Sequence, residues 1–129
     1  MIIDPSKLSI FVVDDDEYCT QMYQQHLHNL GFKNVLTFTS GEECIQNLGQ
    51  KPEIIFLDHI MNPDSGLVVL QKIKAINPNI YVVILSSQKT IEVAIESLKL
   101  GAFDYIIKGN NDSKKITEVM NKLVPLIAV

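Results

Sequence analysis

Residues 8–16 read Leu-Ser-Ile-Phe-Val-Val-Asp-Asp-Asp, a short apolar run that stops at three consecutive carboxylates. An apolar run without polar alternation marks a strand covered on both faces, as in parallel sheets. Four further runs share this character: Val35–Phe38, Ile54–Leu57, Tyr81–Leu85 and Tyr105–Ile107. After each run comes a segment with helical periodicity, over roughly 16–30, 41–50, 65–76, 90–100 and 113–124. Five repeats of strand then helix imply right-handed crossovers and an open, doubly wound parallel sheet with helices on both faces. Sheets of this kind bind ligands beyond the carboxyl ends of their strands.

Local signals support the alternation. Cys19, Met22, Tyr23, His26, Leu27 and Leu30 fall on one stripe of the first helix, and Gly31 ends it. Ser40 followed by Glu43 reads as a capping box for the second helix. Pro52, Pro78 and Gly101 mark loops. Met22, Met61 and Met120 read as fillers of core gaps. Pro125 predicts that the last helix ends or kinks near Val124, because an interior proline costs about 3 kcal/mol. The apolar end Leu126-Ile127-Ala128-Val129 fits core, a dimer contact, or the start of a longer chain.

Composition bounds the function. The 129 residues suit one domain, residues 1–129, with a single core; 47% are hydrophobic and 20% charged, a globular balance. The net charge of −4 and the lack of a basic run point to no direct nucleic-acid partner, and an acidic surface suits anionic lipid poorly. No signal pattern opens the chain, and no apolar stretch approaches the roughly 20 residues that span a bilayer. Cys19 and Cys44 form no spaced framework and are expected reduced on helix faces. A cytoplasmic protein is the expectation.

The strand ends carry the chemistry. They are Asp14-Asp15-Asp16, Thr39, Asp58, Ser86 and Lys108. Asp14, Asp15 and Asp58 would repel one another, and a hard divalent cation resolves this; magnesium prefers one or two carboxylates with waters and a phosphate oxygen. Ser86 can donate to one phosphoryl oxygen and Lys108 can neutralise another. Phosphoryl transfer asks mainly for such positioning and neutralisation, and an aspartate can serve as nucleophile. Each residue alone has a plain role. A single strand-end Asp is usually a turn former or helix cap, as Asp16 is expected to be for the first helix, and Ser86 and Lys108 alone would be a loop hydroxyl and a solvated charge. Their conjunction is what points to phosphate.

The motifs FVVDDD (11–16), IIFLDHIMNPDSG (54–66), VVILSS (82–87) and LGAFDYIIK (100–108) resemble the receiver domain of two-component response regulators over essentially the whole chain. The resemblance implies a CheY-like, flavodoxin-like three-layer sandwich with strand order 2-1-3-4-5. It implies that Asp58 accepts phosphate from a phosphohistidine on a sensor histidine kinase or histidine phosphotransfer protein. Asp14, Asp15, Asp58 and the backbone carbonyl of Ile60 would hold Mg2+. Ser86 and Lys108 would contact the phosphoryl group, Tyr105 would move with Ser86 on activation, and Ile60 and Gln88 would tune phosphate lifetime. A downstream protein or effector domain would read the face of the fourth helix, fifth strand and fifth helix, with Ile91, Ile95, Lys99 and Tyr105 as candidates, and a homodimer is a further expectation. Such a domain catalyses only its own phosphorylation and dephosphorylation.

Two loops depart from the family. Met61 is followed by Asn62, with the proline displaced to Pro63, while Gly66 keeps its distance. Lys108 is followed by Gly109 instead of a cis proline. A cis bond before a non-proline costs roughly 2.5–4 kcal/mol, so a trans bond is expected, with glycine adjusting the chain. An apolar Ile60 cannot orient water, which predicts a long-lived aspartyl phosphate.

His59 points to the face opposite Asp58 by strand alternation and reads as a packing or loop residue. His26 and His28 lack ligand-spaced partners. Two other functions remain. Asp14-x-Asp16 with Ser86 and Lys108 resembles an aspartate-dependent phosphohydrolase of the haloacid-dehalogenase type, although only Asp112 follows the lysine where that family needs an acidic pair. A receiver-shaped binding module that is never phosphorylated is the third reading.

Overall fold

The computed structural model describes residues 4–61, 64–87 and 91–127. Every apolar run forms a strand and every periodic segment a helix. The order is β1 (Ser9–Val13), α1 (Glu17–Asn29), β2 (Asn34–Phe38), α2 (Gly41–Gln46), β3 (Ile54–Asp58), α3 (Gly66–Ile76), β4 (Tyr81–Ser86), α4 (Ile91–Lys99), β5 (Asp104–Ile107) and α5 (Asp112–Ile127). All strand pairs are parallel, and the sheet runs β2-β1-β3-β4-β5, the order that the resemblance implied.

Strand alternation divides the core into two layers. Ile10, Val12, Ile54, Phe56, Val83, Leu85 and Ile106 pack with Tyr23 and Leu27 of α1 and with Ile116, Val119 and Leu123 of α5. On the other side, Phe11, Val13, Ile55, Leu57, Val82 and Ile84 pack with Cys44 of α2 and Val69, Leu70 and Ile73 of α3. The result is a three-layer sandwich whose central strands β1 and β3 are buried at every residue.

The helix ends follow their local chemistry. The Asp16 carboxylate caps α1 by accepting the Tyr18 N–H at 2.9 Å. Gly31, at φ 101, closes the same helix by donating to the His28 carbonyl, and Phe32 donates back to Leu27. Ser40 accepts the Glu43 N–H at 3.1 Å, and Glu43 turns its carboxylate to the Thr39 and Ser40 hydroxyls. Both cysteines are free, with Cys44 buried and Cys19 half-buried.

Four expectations change. α2 stops at Gln46 and the chain continues as a 3-10 turn, Leu48–Gln50, because the Asn47 side chain takes the Glu43 carbonyl for itself at 2.8 Å. α5 passes Val124 and Pro125 to reach Ile127. Proline there removes only the bond to the carbonyl of Asn121, a residue exposed to water in the last turns. Met22 is 37% exposed, so it fills no gap, unlike the buried Met61 and Met120. On β2 only Val35 is fully buried, since this edge strand has a neighbour on one side and the short α2 leaves Leu36 partly in solvent. The loop change at Asn62 and Pro63, the site residue Gln88 and the final Ala128-Val129 lie outside the described residues.

Candidate functional site at the carboxyl edge of the sheet

The strand order places the ends of β1 and β3 side by side, which brings together carboxylates 44 positions apart in the chain. The ladder continues one residue past each strand. The Asp14 N–H donates to Phe38 O at 3.1 Å, His59 N–H to Leu85 O at 2.9 Å, and Lys108 N–H to Ser86 O at 2.8 Å. Asp14, Asp58 and Lys108 therefore keep the register of the strands, and by alternation they project on the α1–α5 side. Ser86 and Tyr105 belong to the opposite register, that of Val82 and Ile84.

Asp14 and Asp58 are buried, at 1% and 5% exposure, while Asp15 faces solvent. One carboxylate oxygen from each lies within 4.8 Å of the others, the one such acidic group among the described residues. Lys108 reaches across from the end of β5 and places its Nζ 2.7 Å from Asp14 Oδ2 and 3.1 Å from Asp58 Oδ1. Burial pushes the Asp58 carboxyl up to about 6; Lys108 pulls it down, and Asp14 and Asp15 add to the rise. Burial also works against the Lys108 charge, but its hydrogen bond to Asp14 and the neighbouring Asp58 outweigh this and hold its pKa above the ordinary range. The pair of buried acids is thus held by one cation. Asp14 is held further by the Asp16 N–H, which donates to its Oδ1 at 2.9 Å.

The other expected residues take these places. Ser86 is wholly buried at the end of β4, joined to Lys108 through the main chain. Tyr105 is half-buried on β5 opposite Ile84. Ile60, two residues after Asp58, is 52% exposed. His59 keeps to a packing role: it is half-buried, desolvation lowers its pKa, and its Nδ1 meets no partner among the described residues. His26 meets Thr117 Oγ1 at 3.0 Å, and His28 is exposed.

Two residues near the site were missed by the motif reading. Asp112, at the start of α5, accepts hydrogen bonds from the Tyr23 hydroxyl at 2.8 Å and the Gly109 N–H at 3.3 Å. A buried tyrosine needs a partner for its hydroxyl, and that was the signal available in the sequence. These contacts also bear on the hydrolase reading. Asp16 is occupied as a helix cap and Asp112 as a partner of Tyr23, so neither joins the cluster of Asp14, Asp15 and Asp58.

A parallel sheet in the order 2-1-3-4-5, closed at its carboxyl edge by an acidic cluster and a lysine, defines a class of phosphate-handling α/β domain. The chain belongs to the response regulator receiver domain family, whose model matches residues 10–121. The transcriptional regulatory protein ZraR of Salmonella typhimurium is 35% identical over 118 residues, which is 90% of this chain and 26% of that protein. The chain thus spans about a quarter of that relative's length. The chemotaxis protein CheY of Thermotoga maritima is 27% identical over 88% of this chain and 95% of its own. The solved BeF3-activated DrrB receiver domain superposes with a TM-score of 0.76 at 27% identity, covering 95% of this chain and 98% of that one. The match is to a receiver domain, a signalling domain of two-component systems. No helix of the described residues is long and apolar enough to cross a membrane.

Proposed function

We propose that Asp58 accepts the phosphoryl group, and that the receiver domain takes in the whole of residues 1–129. The observation that carries this is the Lys108 ammonium seated between Asp58 and Asp14, at 3.1 and 2.7 Å, with Asp15 beside them. An Asp58 oxygen attacks the phosphorus of a phosphohistidine on a sensor kinase or phosphotransfer protein. The P–N bond breaks, its electron pair returns to the imidazole, and the imidazole takes up a proton. Hydrolysis later regenerates the carboxylate: water attacks the same phosphorus, the bond from phosphorus to the Asp58 oxygen breaks, and inorganic phosphate leaves as the water gives up a proton to solvent.

Three oxygen donors within 4.8 Å suit a hard divalent cation such as Mg2+, with Asp14, Asp15 and Asp58 as ligands and the Ile60 carbonyl as a fourth. Bound there, Mg2+ supplies positive charge to the phosphoryl oxygens. Lys108 neutralises another oxygen, and Ser86 donates a hydrogen bond. Charge-assisted hydrogen bonds are each worth roughly 1.5–3 kcal/mol. A few of them supply the about 5.5 kcal/mol needed to swing a two-state equilibrium from 1:99 to 99:1. Tyr105 follows Ser86 in that switch.

The readable surface is then that of α4, β5 and α5. Ile91, Ile95 and Leu98 of α4 are 69%, 46% and 50% exposed, Lys99 is exposed and Tyr105 half-buried. This apolar face suits a downstream protein, an effector domain or a second receiver. A cytoplasmic setting fits a histidine-kinase donor. Gln88 keeps its proposed part with Ile60 in setting phosphate lifetime.

The test is incubation with Mg2+ and acetyl phosphate, with the label located by mass spectrometry in wild type and Asp58→Asn. Label on Asp58, lost in the variant, is expected. Sustained turnover that survives the substitution would favour a hydrolase acting through Asp14, and no label would favour an unphosphorylated binding module.

A further inference from the structure

α1 and α5 cover the same side of the sheet as the acidic cluster, and a buried polar pair joins them. The Tyr23 hydroxyl donates to Asp112 Oδ2 at 2.8 Å, with Tyr23 2% and Asp112 8% exposed. The same Oδ2 accepts the Gly109 N–H at 3.3 Å, and the Asp112 N–H returns to the Gly109 carbonyl at 3.3 Å. Gly109 directly follows Lys108, whose own N–H is tied to Ser86. The main chain bearing the lysine is thus fixed from β4 on one side and from Asp112 on the other.

The loop needs such a fixture. Gly109 stands at φ 151, where side-chain-bearing residues rarely go, and a β-carbon built there would touch nothing within 4 Å. Asn110 and Asn111 are exposed. Packing therefore holds little of this turn, and glycine gives it the greatest conformational freedom. Lys108 nevertheless has to deliver a flexible side chain past β4 to Asp58 and past β4 and β3 to Asp14. A small swing at Gly109 would be magnified along four methylene groups. Burial and the bond to Asp112 hold the Tyr23 phenol far above its usual pKa, so it remains a donor throughout the working pH range.

We propose that Tyr23 and Asp112 are positioning residues for Lys108, a latch that sets the reach of the ammonium where no proline stiffens the loop. Its consequence for phosphate rests on the phosphoacceptor reading above; its effect on the lysine does not. The latch also couples the two ends of the site, because α1 begins just after the acids of β1.

Tyr23→Phe removes one oxygen and keeps the ring in the core. Two readouts test it in the full chain. The first is the 15N NMR signal of the Lys108 ammonium without phosphate or its mimics, whose proton exchange is slowed by its ion pairs. The second is the affinity for beryllofluoride with Mg2+, measured also in a Lys108→Ala background. Tyr23→Phe is expected to speed ammonium exchange and to weaken beryllofluoride binding by roughly tenfold, with little further loss once Lys108 is absent. An unchanged ammonium signal in Tyr23→Phe overturns the latch, as does an equal loss of affinity with and without Lys108. If Tyr23→Phe fails to fold, Asp112→Ala, at the first turn of α5, carries the same two readouts. A wild type that binds no beryllofluoride defeats the phosphoacceptor reading, while the ammonium signal still decides the latch.

Discussion

Gly66, the first residue of α3, lies so close beneath Asp58 that a β-carbon at position 66 would overlap the Asp58 carbonyl oxygen. The Gly66 N–H also donates to the His59 carbonyl at 2.7 Å, which pins the helix start to the strand end. Gly66→Ala must therefore push the Asp58 main chain, and overpacking of this kind costs about 1–3 kcal/mol. Urea denaturation should show that loss, together with slower labelling of Asp58 by acetyl phosphate. Wild-type labelling in a destabilised variant would mean that α3 moves instead and Asp58 does not.

Removing Lys108 tests the other support of Asp58. Its ammonium lowers the Asp58 pKa against burial and against Asp14. In Lys108→Met the Asp58 carboxyl should titrate above about 6, as followed by 13C NMR without metal. Loss of a preorganised charge at a transition state costs roughly 10²–10³ in rate, and phosphorylation should fall on that scale. An Asp58 titration that stays put would place the lysine's charge elsewhere in solution.

Asp58 also links stability to pH. Its folded pKa, about 6, lies above its ordinary 3.8, so the folded state binds the extra proton between those values. The stabilisation is complete below pH 3.8 and is lost as the pH rises through about 6, where the ionised form burdens the fold. Asp58→Asn should thus melt higher than wild type at pH 7.5 in EDTA, by about 2–8 °C per kcal/mol relieved. The gap should shrink as the pH falls toward 4. Mg2+ should raise the melting temperature of wild type more than that of the variant, since binding to the folded state alone stabilises it. Equal melting curves in EDTA at both pH values would count against a strained Asp58.

What the sequence disclosed follows the range of its signals. Asp14, Asp58 and Lys108 each close an apolar run, and parallel strands gather their carboxyl ends on one edge, so local patterns sufficed to bring these three together. Asp16 and Gly31 were legible because capping is local. Tyr23 and Asp112 meet across 89 residues, and neither carries a pattern that names the other. Met22 and Leu36 read as core from apolar character alone, yet which stripe of α1 faces the sheet and which strand lies at the edge are settled only by assembly. The expected end of α5 near Val124 fails because an average interior penalty overstates the cost of Pro125 so close to the helix terminus.

In the proposed phosphoacceptor reading, Ile60 bears on how long the phosphate lasts. The side chain is 52% exposed, so it shields little of the bond to Asp58. Its influence is then the lack of a polar group where one could orient an attacking water. Ile60→Asn supplies an amide that can accept from or donate to that water. A full general base accelerates by roughly 10²–10⁴, and an orienting amide should give less, shortening the aspartyl-phosphate half-life by about one order of magnitude. Decay of 32P-labelled protein at fixed Mg2+ measures it directly. Because an exposed substitution leaves the core intact, the melting temperature should not move. An unchanged half-life would shift control of hydrolysis away from this position and onto the reach of Lys108.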